Sequence, residues 1–179
     1  MHAYTEEQLA SLEGGKSPEQ PERIVGTLLL PDCVAVPLQA RTRGSVLQEL
    51  VAVAEKSWQV YDAEAILNAV KQREEMASTA LENGVAIPHP HRPLPNALGD
   101  AVVAYGRTST GIPFGGPRGT LTDIFFLVCS RDDRSHLRTL ARLSRLLLRP
   151  TMLDELRAAQ SPAETFEALD AAERELLGV

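Results

Sequence analysis

Apolar residues recur along the chain with two different periods, and together they predict a mixed α/β protein. Short runs typical of buried strands, rich in β-branched and aromatic residues, lie at 33–36, 101–105 and 122–129. Apolar residues at three- and four-residue steps, typical of amphipathic helices, begin near Ser45, Asp62, Ser135, Met152 and Ser161. The irregular alternation of the two kinds predicts one α/β/α sandwich with a mixed sheet between helical layers.

The same spacing predicts where two of the helices begin and which faces they bury. Ser45 and Gln48 have the spacing of a capping box, so the first helix is expected to begin at Ser45. In the helix over 135–148, the expected inner face consists of Leu137, Leu140, Ala141, Ser144, Leu147 and Leu148. This helix also carries a stripe of arginines at Arg134, Arg138, Arg142, Arg145 and Arg149. Such a stripe is either a solvated outer face or a docking surface.

Composition limits the class of protein further. The chain has 179 residues, of which 44 % are hydrophobic and 23 % charged, and this suits one soluble domain. Its formal net charge of −6 argues against direct nucleic-acid binding, and its apolar runs fall far short of a membrane span. Cys33 and Cys129 lie far apart and are expected to be buried thiols in a reducing cytoplasm. No signal-peptide pattern precedes the acidic residues near the start, so we expect a cytoplasmic protein.

The first twenty residues differ in character from the rest. Residues 1–20 are expected to be a linker or a short N-terminal helix, and the main domain is placed at 21–179. Gly14-Gly15 would end such a helix after about two turns, which is too short to be stable alone. Gly15-Lys16-Ser17 has the end of a phosphate-binding loop, but Ala10 stands where the earlier glycine is required. A linker or an adhering helix is therefore favoured over a nucleotide site.

The most informative stretch is 73–92, which ends a helix, crosses a turn and delivers His89 from a short apolar strand. Prolines surround this histidine, at Pro88, Pro90, Pro93 and Pro95. They fix their own φ angles and push the residues before them toward extended conformations. An imidazole held there has little backbone entropy left to lose. The plain alternative is a rigid surface loop that happens to contain histidines.

The order of residues in this stretch resembles the signature of phosphotransferase-system enzyme IIA domains of the fructose, mannitol and nitrogen-regulatory class. The matching residues are Arg73-Glu74, Ser78-Thr79 and Asn83-Gly84-Val85-Ala86-Ile87-Pro88-His89. The similarity continues through Ile112-Pro113-Phe114, the run at 123–128 and His136-Leu137-Arg138-Thr139-Leu140. Pro90 departs from the family, which usually has a small residue such as glycine there, and His91-Arg92 make the loop more basic than usual.

The resemblance implies a mannitol-type enzyme IIA fold and a phosphocarrier function. It implies that His89 accepts a phosphoryl group from the phosphocarrier HPr, and that Arg73 and His136 flank this histidine. Arg73 could also serve only as a cation at the end of its helix. Further candidates for contacts to the phosphate are Ser78, Thr79 and Arg92. The two hydroxyls could equally cap the turn before the strand.

The implied activity is that of a phosphotransferase without a cofactor or a metal. The implied partners are an HPr-like carrier and a downstream IIB or regulatory protein. No stretch resembles a IIB or IIC module, which favours regulation over sugar transfer. A sugar-transport IIA component and a non-catalytic regulatory binding module are the alternatives.

Histidine suits phosphoryl relay because its neutral ring nitrogen is nucleophilic near pH 7, and the phosphorylated ring remains a good donor. The other ring nitrogen must keep its proton directed at an acceptor. His89-Pro90-His91 could instead supply two metal ligands on one side of an extended chain, but the third ligand would have to come from Cys33, Cys129 or His136. His91 is expected to be a solvated loop residue rather than a second phosphoacceptor.

Overall fold

The fold is a sheet covered by two groups of helices. The computed structural model describes residues 22–179, so the helix and the phosphate-binding fragment considered for residues 1–20 lie outside the described part. Its strands are β1 (Val34–Leu38), β2 (Val85–Ala86), β3 (Val102–Ile112) and β4 (Thr122–Cys129). Its helices are α1 (Arg43–Glu55), α2 (Ala63–Met76), α3 (Asp133–Leu147), α4 (Met152–Ala158) and α5 (Pro162–Leu177). Single 3₁₀ turns lie at Pro31–Cys33 and Pro117–Gly119.

The sheet is mixed, with the strand order β1-β3-β4-β2. β3 and β4 pair antiparallel in the centre, and each edge strand pairs parallel with its neighbour. Helices α1 and α2 pack together, α3, α4 and α5 pack against one another, and both groups contact the sheet. This arrangement confirms the predicted single α/β sandwich. The thiols of Cys33 and Cys129 are free and buried in its core, as predicted, and burial raises the pKa of Cys129 to about 12.

β3 is longer than the apolar run at 101–105 that predicted it. It continues to Ile112 because its polar second half still pairs with neighbouring strands. The register with β4 shifts between Arg107 and Ile112, so β3 carries extra residues on that side. Period alone therefore predicted the buried half of the strand and missed the half that pairs without being fully apolar.

The predicted start of α1 at Ser45 is wrong. Helix α1 begins at Arg43, and Thr42 is its N-cap. The Thr42 hydroxyl accepts from Ser45 N at 3.2 Å, and the Ser45 hydroxyl accepts from Thr42 N at 3.1 Å. Ser45 is therefore the third residue of the helix and the partner of Thr42 in the capping box. It is not the N-cap of a box formed with Gln48.

Most of the predicted inner face of α3 is also wrong, because Leu147 is the only one of its six residues that is buried. The buried residues of this helix are Thr139, Leu143, Leu146 and Leu147. Leu137 is 66 % exposed and Leu148 is 80 % exposed, so the expected face points largely to solvent. The helix has leucines on two faces, and its packing against β4 and α5 selects between them. Thr139 can be buried because its hydroxyl donates to the Ser135 carbonyl at 2.9 Å.

The arginine stripe of α3 is neither wholly solvated nor wholly free for docking. Arg138 pairs with Glu22 at 3.6 Å, Arg142 lies 3.7 Å from Glu173, and Arg149 pairs with Glu175 at 2.6 Å. These three arginines therefore tie α3 to α5 and to the start of the described chain. Arg134 and Arg145 lie on the exposed side of the helix.

Glu173 is a fully buried carboxylate that anchors the start of the described chain. Its two oxygens accept from Ile24 N at 2.9 Å and from Val25 N at 3.1 Å. Arg23 donates to it at 3.3 Å and also pairs with Asp170. A buried carboxylate needs such donors, since its desolvation would otherwise be costly.

Candidate functional site

The candidate site lies where the edge strand β2 leaves the sheet. Val85 and Ala86 pair with Ile124 and Phe125 of β4. The pairing continues one step further, since Val128 N donates to the Pro88 carbonyl at 3.0 Å. Proline is tolerated at position 88 because an edge strand has no neighbouring strand on its outer side. The N–H that proline lacks would have had no partner there. The next residue, His89, is therefore held at the end of the sheet.

The turn before β2 is fixed from α4. Gly84 has a φ of +84°, which favours glycine, and a Cβ there would lie 2.7 Å from the Arg157 guanidinium. Arg157 forms a two-pronged ion pair with Asp123, with both contacts at 3.0 Å, and donates to the Asn83 carbonyl at 2.7 Å. The hydrogen bonds to Asp123 raise the pKa of Arg157. These contacts of Arg157 therefore fix the turn before the strand that leads to His89.

The ring of His89 has one nitrogen committed to the backbone. Its Nδ1 lies 2.8 Å from the Ile87 carbonyl oxygen, and a carbonyl oxygen can only accept a hydrogen bond. Nδ1 therefore carries the hydrogen, and in the neutral ring Nε2 carries the lone pair. Burial lowers the pKa of His89 below its ordinary value, so the neutral ring is favoured near pH 7.

Charged neighbours act on His89 in both directions. The hydrogen bond to Ile87 and the carboxylate of Glu74 raise the pKa of His89, whereas Arg73 and His91 lower it. These opposing effects leave burial as the largest influence. The result is a half-buried imidazole that is neutral yet surrounded by charge.

His136 contacts His89 directly. The two ring centroids are 4.9 Å apart, with the ring planes tilted by 48°. His136 is positioned by α3, whose N-cap Asp132 accepts from Ser135 N at 2.8 Å and fixes the first turn. Burial lowers the pKa of His136, His89 lowers it further, and Asp133 opposes both. The site therefore holds two adjacent imidazoles that both favour the neutral form.

Arg73 lies in the last turn of α2 and caps the end of the helix. Its Nη1 donates to the Ala77 carbonyl at 2.7 Å, which satisfies one of the free carbonyls at the helix end. Arg73 therefore has the structural role that was the alternative for this residue, that of a cation at the end of its helix. Its positive charge still reaches His89, since Arg73 lowers the pKa of that ring.

Ser78 and Thr79 have their hydroxyls directed at protein groups. Ser78 Oγ donates to the Phe114 carbonyl at 2.6 Å and accepts from Ala80 N at 3.1 Å. The Thr79 hydroxyl donates to Glu74, whose other oxygen accepts from Thr79 N at 3.1 Å. Both residues therefore shape the turn that leads to β2.

A recess opens beside His136, between the proline-rich loop and the first turn of α3. Its lining includes the exposed residues His91 and Arg92 together with Ser130. Ser130 is 4 % exposed, and its hydroxyl has no hydrogen-bond partner among the residues that the structure describes. Of the residues predicted for the site, Arg92 and His136 therefore line the same recess. No group of three metal-ligating side chains occurs within 22–179.

The comparison with known families decides the class of protein. The family model described as "Phosphoenolpyruvate-dependent sugar phosphotransferase system, EIIA 2" matches residues 27–172. The chain belongs to this enzyme IIA family. The phosphotransferase system thus supplies the general kind of activity, and the resemblance in the sequence is confirmed.

Relatives of this IIA domain have both regulatory and transport names. The chain is 31 % identical over 145 residues to a nitrogen regulatory protein of Bradyrhizobium diazoefficiens, covering 79 % of the chain and 92 % of the relative. It is 27 % identical over 136 residues to the fructose-specific EIIABC component of Bacillus subtilis, covering 75 % of the chain. The match spans only 21 % of that second relative's length.

Solved structures confirm the mannitol-type fold of this IIA domain. The nitrogen regulatory protein IIA-Ntr of Neisseria meningitidis superposes with a TM-score of 0.73 at 21 % identity, over 82 % of this chain and 99 % of that one. The mannitol IIA of Escherichia coli superposes with a TM-score of 0.68 at 19 % identity, over 77 % and 96 %. None of the helices within 22–179 is long and apolar enough to cross a membrane.

Some groups in the candidate site had no role assigned from the sequence. Glu74 is 1 % exposed and holds Thr79, and its signal was present in the sequence as the continuation of Ile66 and Val70 at four-residue steps. A carboxylate on the buried face of a helix indicates a specific partner. The Ile87 carbonyl and the hydroxyl of Ser130 had no such signal, because their importance depends on tertiary position.

Proposed function

We propose that this IIA domain is a histidine phosphocarrier, in which Nε2 of His89 accepts a phosphoryl group from an HPr-like protein and passes it on. The observation that carries the proposal is the hydrogen bond from Nδ1 to the Ile87 carbonyl, which leaves the lone pair on Nε2. The lowered pKa of His89 adds to it, since a neutral imidazole is the nucleophilic form.

In the proposed transfer, the phosphoryl group passes in line from a histidine of the donor protein to His89. The Nε2 lone pair of His89 attacks phosphorus, the bond from phosphorus to the donor nitrogen breaks, and its electron pair returns to the donor ring. Throughout the transfer, Nδ1 keeps its hydrogen and its hydrogen bond to the Ile87 carbonyl oxygen. The charge on the equatorial oxygens calls for nearby donors, and the candidates are His136, which contacts the ring, and Arg73, whose charge acts on it. Ser78, Thr79 and Arg92 have only the weaker role of shaping or lining the surroundings.

The first experiment tests the phosphoacceptor. The protein is incubated with phosphoenolpyruvate, enzyme I and HPr, and we expect an acid-labile, base-stable phosphohistidine. The label should be lost in His89→Ala and kept in His91→Ala, which is a matched control two residues away and exposed. If no cognate donor labels the protein, the proposal is contradicted and a non-catalytic regulatory binding module is favoured.

Arg73 is tested separately because it has a structural role as well. Arg73→Ala should slow transfer by about 2–4 kcal/mol in the transition state, whereas the lost cap costs only about 0.3–1 kcal/mol of stability. Rates of labelling and chemical unfolding measure the two effects. An Arg73→Ala protein that unfolds, or that transfers at the unaltered rate, would remove Arg73 from the mechanism.

Regulation is the favoured role of this transfer, within the cytoplasm and through a protein target. The supporting observation is the match to the nitrogen regulatory protein of Bradyrhizobium diazoefficiens over 92 % of that relative. Sugar transport is the second candidate, supported by the match to part of the fructose-specific component of Bacillus subtilis. A neighbouring IIB or IIC gene, with sugar uptake that fails when this protein is removed, would reverse the order.

A further inference from the structure

Two large aromatic side chains stand in solvent where α1 turns into α2. Trp58 is 87 % exposed and Tyr61 is 70 % exposed. Within residues 22–179, neither side chain stacks on another ring or forms a hydrogen bond. Aromatic residues dominate the cores and interfaces of proteins, so two of them in solvent within one turn indicate a contact that the described part of the chain does not make.

The backbone at Trp58 makes this exposure more unusual. Its φ is +62°, in the left-handed region that glycine and asparagine usually occupy at the end of a helix and that is costly for a bulky residue. The turn enforces this conformation, because Trp58 N donates to the Glu55 carbonyl at 3.1 Å and Gln59 N donates to the Ser57 hydroxyl at 3.1 Å. Neither packing nor backbone preference therefore explains a tryptophan at position 58.

Tyr61 is held in place by the segment that precedes β3. Tyr61 N donates to the Ala97 carbonyl at 2.8 Å, and Gly99 N donates to the Gln59 carbonyl at 2.8 Å. The phenol lies so close to Gly99 that a Cβ there would collide with the Tyr61 hydroxyl. Trp58 and Tyr61 are at most ~11 Å apart along the chain, so one short segment can reach both rings.

The carboxylates around these rings are exposed. They are Glu55, Asp62, Glu64 and Asp100. None of the four forms an ion pair within residues 22–179. Asp62 accepts from Ala65 N at 3.1 Å and Asp100 accepts from Ala101 N at 2.7 Å, and these neutral donors leave both charges in place. We call the four carboxylates together with Trp58 and Tyr61 the aromatic corner.

Two of the four negative charges are compensated by the start of a helix. Asp62 and Glu64 lie at the beginning of α2, where the helix dipole is positive. Glu55 ends α1, where the dipole is negative, and Asp100 adjoins the glycine under Tyr61. The aromatic corner therefore keeps an excess of negative charge, which disfavours phosphates, nucleic acids and anionic membranes as ligands.

Lys56 is the exposed cation of this turn, and it lies toward the short turn at Pro31–Cys33. Burial raises the pKa of Cys33, Asp32 raises it further and Lys56 lowers it. The ammonium and the carboxylate of Asp32 thus act on the same thiol in opposite directions. Lys56 is therefore opposed by a carboxylate outside the aromatic corner.

We propose that the aromatic corner binds an arginine-bearing basic segment of a partner protein. A guanidinium is planar, so it can stack on the exposed indole while its N–H groups donate to Glu55 or Asp100. Tryptophan, tyrosine and arginine are also the residues that most often carry the binding energy of protein interfaces. The inference goes beyond the proposed phosphotransfer, because the aromatic corner shares no residue with the candidate site.

The test uses the fluorescence of Trp58, which is the only tryptophan of the chain. The full chain is titrated with tetra-arginine, tetra-lysine and tetra-glutamate, each acetylated and amidated. We expect a saturable change in emission with tetra-arginine, about tenfold weaker binding of tetra-lysine and none of tetra-glutamate, since only the guanidinium both stacks and forms a planar fork. No saturable change with tetra-arginine, or equal binding of either other peptide, would overturn the proposal.

Two variants that keep the fluorescent residue separate stacking from charge. Tyr61→Ala and Glu55→Gln/Asp100→Asn should each bind tetra-arginine about tenfold more weakly than the wild type. The control Glu75→Gln/Glu167→Gln removes two exposed carboxylates elsewhere on α2 and α5 and should bind like the wild type. Equal weakening in the control would show that only the net charge of the protein matters, and the proposal would fail.

Trp58→Gly is followed by titration calorimetry, because it lacks the fluorescent residue. It should lose tetra-arginine binding and unfold at the same temperature as the wild type or higher, since glycine adopts a positive φ without strain. A lower unfolding temperature would identify Trp58 as a structural residue and contradict the proposal. Retained binding would exclude the indole from the site.

Two further outcomes would assign the aromatic corner to another occupant and overturn the proposal. A concentration-dependent dimer that Trp58→Gly abolishes would show that a second copy covers this surface. Tetra-arginine binding that appears only after removal of residues 1–20 would show that this segment covers it. All of these variants keep the residues around His89, so a failure here leaves the proposed phosphoacceptor untouched.

Discussion

Two buried glutamates, Glu74 and Glu173, solve the same physical problem in different ways. Glu173 is hydrogen-bonded by the backbone of Ile24 and Val25 and is accompanied by Arg23 and Arg142. Glu74 is hydrogen-bonded by the N–H and hydroxyl of one residue, and no ion pair involves it in the described part of the chain. Both carboxylates are desolvated, but only one is matched by cations.

The difference between the two regions reflects what each one holds. The charge of Glu173 is balanced by ion pairs within a cluster that holds the start of the described chain against α3 and α5. The charge of Glu74 is left to act on its surroundings, and it raises the pKa of His89. A buried anion served by neutral donors can therefore shape a turn and also tune a nearby imidazole, which a fully neutralised one could not do.

Replacement of Glu173 should give the largest effect. In Glu173→Ala, two backbone N–H groups and Arg23 lose a hydrogen-bond acceptor and Arg142 loses an ion-pair partner, so we expect a loss of about 3–5 kcal/mol in the free energy of unfolding. Glu175→Ala is the control, because its ion pair with Arg149 is exposed and is worth at most about 1 kcal/mol. Urea unfolding measures both. Equal losses of unfolding free energy in the two variants would show that the contacts of Glu173 do not hold the start of the described chain in place.

Replacement of Glu74 should give a smaller loss of stability together with a change at His89. Glu74→Gln weakens the acceptor of Thr79, and we expect a loss of about 1–3 kcal/mol. The pKa of His89 should fall further, because a carboxylate that raises it is gone. An NMR titration of the imidazole follows the shift, with exposed Glu75→Gln as the control. A rise in the pKa of His89 would contradict the assigned role.

The pH dependence follows from the lowered pKa values of His89 and His136. Between the folded pKa of each ring and its ordinary value near 6.5, the unfolded state holds more protons than the folded state. Stability should therefore rise with pH through this window and be lost as the pH falls through the folded pKa. Urea unfolding between about pH 5 and 7.5 measures the slope. A double variant, His89→Gln/His136→Gln, should show a shallower slope, and an equal slope would place the titration elsewhere.

Deletion of the first residues should give the smallest effect. Removal of residues 1–20 leaves the contacts of Glu173 intact, so stability and His89 labelling should be nearly unchanged. Removal of residues 1–25 takes away both backbone donors to Glu173 and should resemble Glu173→Ala. Thermal unfolding compares the two truncations. Severe destabilisation by the shorter truncation would move the predicted domain boundary at residue 21 toward the start.

The strands and the signature loop could be predicted because their determinants are local. Runs of β-branched and aromatic residues marked β1 and β4, and Asp62 is the N-cap of α2 as its position indicated. The ordered residues from Arg73 to His89 indicated the family without any tertiary information. Position in a signature also drew attention to His136, although its contact with His89 depends on the fold.

The rest depended on packing that the local pattern does not contain. Leucines on two faces of α3 have the same period, so only the contacts with β4 and α5 decide which face is buried. Arg157 is distant in sequence from the turn that it pins at Gly84. The partners of the arginine stripe likewise come from other elements, and no single helix reveals them.

The acceptor that orients the ring of His89 is the carbonyl of Ile87, which belongs to the peptide chain and not to any side chain. A substitution at position 87 alters the apolar side chain and leaves this oxygen in place. The path of the backbone thus sets which nitrogen of the neutral ring carries the lone pair, while the side chains around it are open to change. If the proposed function holds, substitutions at surface residues would change the partner without changing which nitrogen of His89 carries the lone pair.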